Sequence, residues 1–301
     1  MNSENFESFL KLQKIEYKKN EPMCKHTSFK IGGPATFFIE VKNADELCFL
    51  FGALKECEMP HFIIGKGSNL LVSDKGIKGA VISLLNMDKV TVKDDEIVAE
   101  SGASLASVCV AALENSLTGL EFAYGIPGCI GGALYMNAGA YGGEMSYVVD
   151  SCEYVCVNGQ KGTIKLEDMK LGYRKSVFRE SGMVITSVKL KLKKGEKTEI
   201  RAAMDDFMDR RKQKQPLEFP SAGSTFKRPE GHFAGALIEK NNLKGVSVGG
   251  AMVSEKHAGF LINYGGATCE DVKCLMELVK NTVFQADGVV LEPEVIFVGE
   301  E

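Results

Sequence analysis

The chain has 301 residues, 45% of them hydrophobic and 25% charged, with a formal net charge of −4. That length leads us to expect two or three domains with ample cores. A mildly acidic balance gives no electrostatic reason to expect nucleic acid or an anionic membrane surface as partner. No apolar run approaches the ~20 residues of a membrane span. The polar stretch at residues 1–20 lacks the apolar core of a signal peptide, so the cytoplasm is the expected location.

Residues 36–41 are β-branched and aromatic and predict a strand. Asn43 and Asp45 offer caps for a helix that turns Leu47, Leu50, Phe51 and Leu54 to one face. Residues 61–64 form a short apolar strand that runs directly into Gly65-Lys66-Gly67-Ser68-Asn69-Leu70, a first glycine cluster. Residues 89–92 and 97–100 read as a hairpin around Asp94-Asp95, and 104–117 as a helix with Leu105, Val108, Cys109, Ala112 and Leu113 inward. A second cluster, residues 125–143, holds seven glycines in nineteen positions. Strands follow at 152–157, 162–166 and 183–192. Residues 193–198 are charged and predict a linker, and 202–214 a helix halted by Pro216. Residues 217–235, rich in Pro, Gly and Ser, predict an ordered loop or lid. Thr268 and Asp271 form a capping box for a helix through Phe284, ended by Asp287-Gly288, and 289–298 reads as a closing strand.

The nine cysteines are odd in number and scattered, with no CxxC pair, and the four histidines show no ligand spacing beside them. They read as reduced thiols, mostly small core residues, and no metal site is expected; zinc is the weaker alternative.

Dense glycine in a core lets main-chain amides approach something bulky and electron-rich. Two such clusters point to a large dinucleotide. The glycine order of a Rossmann site is absent, and so is a Walker A motif. A glycine turn between strands remains the plain alternative for the 65–70 loop.

Five segments in order, GKGSNLLV, IPGCIGGALYMNAGAYG, GYRKSVF, SAGSTFKRP and LEPEVIF, resemble the motif series of the UDP-N-acetylenolpyruvoylglucosamine reductase (MurB) family. The similarity runs from about residue 25 to the C-terminus. It implies a mixed α+β protein: an FAD-binding module of the vanillyl-alcohol-oxidase type in two subdomains, 1–82 and 83–195, then a smaller α+β substrate domain, 199–301. It also implies non-covalent FAD, NADPH as hydride donor, and a UDP-sugar whose enolpyruvyl ether is reduced to UDP-N-acetylmuramate for peptidoglycan synthesis.

By the same resemblance Arg174 holds the substrate carboxylate, Ser224 gives the proton to the enolate carbon, and Glu294 stabilises or protonates the enolic intermediate. Glu292 is the competing glutamate in that motif. Gly65, Lys66, Gly67, Ser68, Asn69, Leu70, Pro127, Gly128, Gly132, Asn137, Gly139 and Ala140 match flavin-side positions; Tyr124, Lys214 and Asn263 match substrate positions. Lys227-Arg228 replaces the Lys-Asn of some members. The span from Arg174 to Ser224 is too short for the tyrosine-bearing loop of others, so the chain resembles the shorter subtype. A monomer is compatible with all of this. Two further readings stay open: an FAD oxidase of the same fold, and a flavin-binding protein without turnover.

Overall fold

The computed structural model describes residues 3–300, so the outermost ends of the first and last expected domains lie outside the described residues. The chain divides into two compact units, one of residues 1–18, 37–66 and 79–211, the other of residues 19–36, 67–78 and 212–301.

The first unit has two cores. One lies beneath a four-stranded sheet in the order Tyr17–Pro22, Pro34–Glu40, Ile77–Ser83, His61–Ile64, of which it holds the greater part. Helices α1 (Ser3–Leu12) and α2 (Ala44–Glu56) cover it, with Phe6, Leu10, Leu47, Leu50 and Phe51 packed on Phe37, Ile39 and Ile82. Asn43 caps α2 by accepting from the Glu46 amide at 2.9 Å.

The other core lies against a five-stranded antiparallel sheet in the order Lys161–Lys165, Val149–Cys156, Met183–Lys191, Glu96–Glu100, Val90–Lys93. Helix α3 (Leu105–Glu114), capped by Ser104, packs Val108, Cys109 and Ala112 toward Val188 and Leu190. Inside the glycine cluster lies a short helix the sequence does not announce, α4 (Ile130–Tyr135), whose Ile130, Ala133 and Leu134 are buried. Residues 193–198, expected as a linker, are tied down instead. Lys193–Lys194 pairs with Leu117–Thr118, and the Gly195 amide donates to Ser116 at 3.0 Å. Helix α5 (Lys197–Lys214) follows, with Ile200 and Met204 in the same core.

In the second unit, α6 (Ala234–Lys240) and α7 (Cys269–Asp287) pack with Phe29, Leu71, Phe226, Val253 and Leu261. The strands Ser247–Val248, Ala251–Val253 and Leu261–Asn263 form one small sheet, and Ile296–Val298 runs parallel to Leu70–Val72. The expected Thr268–Asp271 capping box is present, and Gly288 closes α7 at φ 68°. The expected strand at 289–298 shrinks to Ile296–Val298. Ahead of it, Pro293 has no amide to give a ladder, and one isolated bridge to Phe226 forms.

The cysteines are free thiols, four of them buried. Burial pushes Cys152 up to about 12 and Cys269 up to about 11, so neither ionises near neutral pH. No described helix is long and apolar enough to cross a membrane.

Candidate active site

The first unit contributes the large glycine loop. Part of its glycine content serves close packing. A Cβ on Gly131 would collide with the Ser101 hydroxyl, and the Gly131 amide donates to the Ser101 carbonyl at 3.0 Å. Gly128 accepts from Leu105 at 3.2 Å, which fixes Pro127-Gly128 against the start of α3. At Gly132 a side chain would meet only Cys129, so that flank of the loop is more open. Gly139 and Ala140 pair with Glu144 and Gly143 across Tyr141-Gly142, both at positive φ, as a type I′ turn requires. Tyr141 stacks on Phe207 of α5 with centroids 4.7 Å apart. Tyr124 is half-buried against the core beside Gly125.

Beside this loop stands a residue that carries no motif in the sequence. Arg211 is 9% exposed, and among the described residues its Nε has no hydrogen-bond partner. Burial pushes its guanidinium below its ordinary value, while Tyr141 beside it pulls the other way. Its Cδ would lie 3.1 Å from a Cβ on Gly125, so a side chain there would crowd this stem. A buried guanidinium whose Nε lacks a partner among the described residues, at the wall of a glycine loop, matches an electron-rich nucleotide cofactor. Sequence offers no signal for it, because Arg210, Arg211 and Lys212 look alike there.

Arg174 lies at the tip of a tight turn. Gly172 and Lys175 exchange backbone bonds of 3.1 and 3.0 Å, and Arg174 itself is at φ 56°, where non-glycine residues are uncommon. Its guanidinium lies 5.0 Å from the Tyr173 ring centroid, and its carbonyl accepts from Arg179 Nη1 at 2.8 Å. Asn137 is buried, and its side chain is given to protein partners at both polar atoms.

In the second unit the STFK and LEPE segments run side by side. The Glu294 amide donates to the Thr225 carbonyl at 2.8 Å and the Lys227 amide to the Glu292 carbonyl at 2.9 Å. Ser224 and Glu294 thus belong to adjacent segments. Thr225 is the buried anchor of this pair: its amide donates to the Gly259 carbonyl at 2.9 Å, and its Oγ1 accepts from the Leu261 amide at 3.1 Å. Ser224 is exposed and Glu294 half-buried. Glu292 is exposed and held to Lys227 Nζ at 2.9 Å, which keeps its carboxyl below the usual range. It is thereby engaged in a surface ion pair.

The small glycine loop is split between the units, Gly65 and Lys66 in the first and Gly67 to Leu70 in the second. Lys66 is exposed. Gly67 is at φ 59°, and a Cβ there would run into the His26 carbonyl. Ser68 is half-buried. Asn69 donates through Nδ2 to the Glu294 carbonyl at 3.1 Å, and its own carbonyl accepts from the Ile296 amide at 2.9 Å. The Asn263 side chain is occupied on both sides, donating to the Phe29 carbonyl at 3.2 Å and accepting from the Ala267 amide at 3.0 Å. Lys214 is exposed at the end of α5.

Fold and site together define an FAD-binding protein of mixed α and β structure. Residues 35–165 match the family model of the FAD binding domain, and residues 215–298 that of the UDP-N-acetylenolpyruvoylglucosamine reductase C-terminal domain. The chain is 47% identical over 301 residues to the UDP-N-acetylenolpyruvoylglucosamine reductase of Clostridium kluyveri, covering 98% of this chain and 99% of that one. It is 49% identical over 290 residues to the reductase of Clostridium novyi, covering 96% and 94%. The crystal structure of the Thermus caldophilus reductase (MurB) superposes with a TM-score of 0.80 at 34% identity, covering 94% of this chain and 98% of that one. The chain belongs to the UDP-N-acetylenolpyruvoylglucosamine reductase family.

Proposed function

We propose that this chain reduces the enolpyruvyl group of UDP-N-acetylglucosamine enolpyruvate to the lactyl ether of UDP-N-acetylmuramate, with FAD as cofactor and NADPH as reductant. Full-length similarity to the family supports the reaction. The observation in the structure that carries it furthest is the Thr225–Glu294 backbone bond, which sets a serine and a glutamate on neighbouring segments. When bound, FAD would supply two-electron hydride chemistry between NADPH and the terminal alkene carbon.

The protein's own residues do the rest. Gly132, Gly139 and Ala140 line the flavin side with main-chain groups, and Arg211 supplies a buried cationic donor to the nucleotide. Arg174 pairs with the substrate carboxylate through a planar fork suited to two oxygens. As charge builds on the carbon next to that carboxylate, this pairing stabilises it more than it does the ground state. Ser224 Oγ then donates its proton to that carbon, forming the C–H bond and recovering a proton from solvent, and Glu294 stabilises or protonates the enolic form. The enzyme acts on small molecules in the cytoplasm, and its flavin is held non-covalently.

The test is direct. Purified protein is expected to be yellow, to release FAD on denaturation, and to consume NADPH beyond one equivalent per flavin rapidly only when the enolpyruvyl UDP-sugar is present. Colourless folded protein that takes up no FAD refutes the reading. Rapid oxygen consumption with a sugar alcohol would point instead to an oxidase.

A further inference from the structure

Asn137 has chemistry that the reaction does not by itself explain. It is 1% exposed and at φ 45°, directly after α4. Its Nδ2 donates to Glu144 Oε1 and to the Gly172 carbonyl, each at 3.2 Å, and its Oδ1 accepts from the Ser146 amide at 3.0 Å. Glu144 Oε1 is held in turn by the Ser146 hydroxyl. Gly172 is one leg of the turn that carries Arg174. The other leg is gripped from the same place: Ser176 Oγ donates to the Tyr135 carbonyl at 2.6 Å. The end of α4 therefore clamps both legs of the turn to the glycine loop.

Arg174 needs such a clamp. A residue at positive φ on a two-residue tip keeps that conformation only if its surroundings impose it. A buried amide with every polar group satisfied is a rigid tie rather than a ligand donor. We propose that Asn137 is the positioning residue for Arg174, fixing the guanidinium relative to the flavin loop so that it meets the enolpyruvyl carboxylate in register. The inference rests on the role given to Arg174 above.

The experiment uses FAD-loaded protein and reads the two half-reactions separately, flavin bleaching by NADPH and flavin recolouring by the enolpyruvyl UDP-sugar. Asn137→Asp keeps size and tolerance of positive φ but removes both donated bonds. Asn137→Gly keeps the φ and removes the side chain. Each is expected to retain FAD and to slow recolouring by about 100-fold, the scale of a misplacement near 1 Å. In an Arg174→Ala background the same changes are expected to cost less than about 2-fold, since residues acting through one another do not add. Ser176→Ala, which frees the other leg, is expected to show the same pattern at smaller amplitude.

Losses that multiply with Arg174→Ala overturn the inference, as do variants that recolour within about 3-fold of the native protein or that simply lose FAD. If the native protein itself is not recoloured by the enolpyruvyl UDP-sugar, the reaction assignment fails instead, and the two failures are distinguishable.

Discussion

Replacing Arg211 by Met should move stability and cofactor affinity in opposite directions. In the folded chain without ligand, the guanidinium is buried with Nε unpartnered. An unsatisfied buried donor costs about 1–3 kcal/mol, more where the group is charged. Methionine keeps the length of the stem beside Gly125 and Met208 and removes the polar head. The apoprotein is therefore expected to gain about 1–3 kcal/mol in urea unfolding at constant m-value. With FAD the sign reverses. A hydrogen bond to a charged group contributes about 1.5–3 kcal/mol. At ~1.4 kcal/mol per tenfold, its loss weakens FAD about 10- to 150-fold. Flavin fluorescence quenching gives the dissociation constant, and urea melts of apoprotein give the stability. An Arg211→Met protein that binds FAD as tightly as the native chain refutes the role given to this guanidinium. A less stable apoprotein would mean that its head makes a favourable contact of another kind.

Ser224→Ala is expected to leave flavin bleaching by NADPH close to native and to slow recolouring by the enolpyruvyl substrate by about 100-fold or more, in keeping with loss of a proton donor; stopped-flow absorbance that finds both halves damaged equally would show the donor to be misassigned. Thr268→Ala removes the α7 cap and is expected to cost about 1 kcal/mol in urea unfolding. The Asp271 carboxyl is held below its usual range by the Thr268 amide first and the Gly250 amide second. Its contribution is therefore complete above the unfolded value near ~3.9 and is lost as pH falls through the lower folded value, so an Asp271→Asn deficit should shrink below about pH 4 in acid titrations of unfolding. Maleimide is expected to label Cys274, which is exposed, ahead of the buried Cys109, Cys152 and Cys269; equal rates without denaturant would refute the packing described for them.

Periodic elements are legible in the amino-acid sequence alone. The α2 and α3 stripes, the 90–100 hairpin and the α7 capping box occur within a few residues of where the spacing puts them. Elements that the spacing does not reveal are decided by tertiary contact. Two glycines disfavour a helix at 130–135, yet burial of Ile130, Ala133 and Leu134 outweighs that local cost. The charged run 193–198 reads as a linker because exposed lysines carry no periodicity, while its backbone pairs with Leu117–Thr118. Residues 234–267 contain the seven-residue α6 and three strands of two or three residues, too short for a period to register. At the site, the motifs point to Arg174, Ser224 and Glu294, and the structure adds that the competing Glu292 is exposed and paired with Lys227. Arg211 has no motif at all, and only packing separates it from its basic neighbours.

A serine hydroxyl is a weak acid, and the protein atoms alone do not enclose Ser224, the proton donor proposed above. It is exposed, and the preceding Gly223 is at φ 79° with open space beside it. The fold therefore supplies position rather than acidity. It does so through Thr225, whose backbone and hydroxyl tie the segment to Gly259, Leu261 and Glu294. The driving force for proton transfer must then come from the acceptor, a carbon that becomes basic only once hydride has added to its neighbour. Such a donor discriminates between states: it is inert toward the bound alkene and competent toward the enolate, so its contribution is spent on the transition state alone. In the mechanism proposed above, a more acidic side chain at this position, a carboxylic acid for instance, would be ionised at neutral pH before substrate arrived and would repel both the substrate carboxylate and the charge that develops beside it.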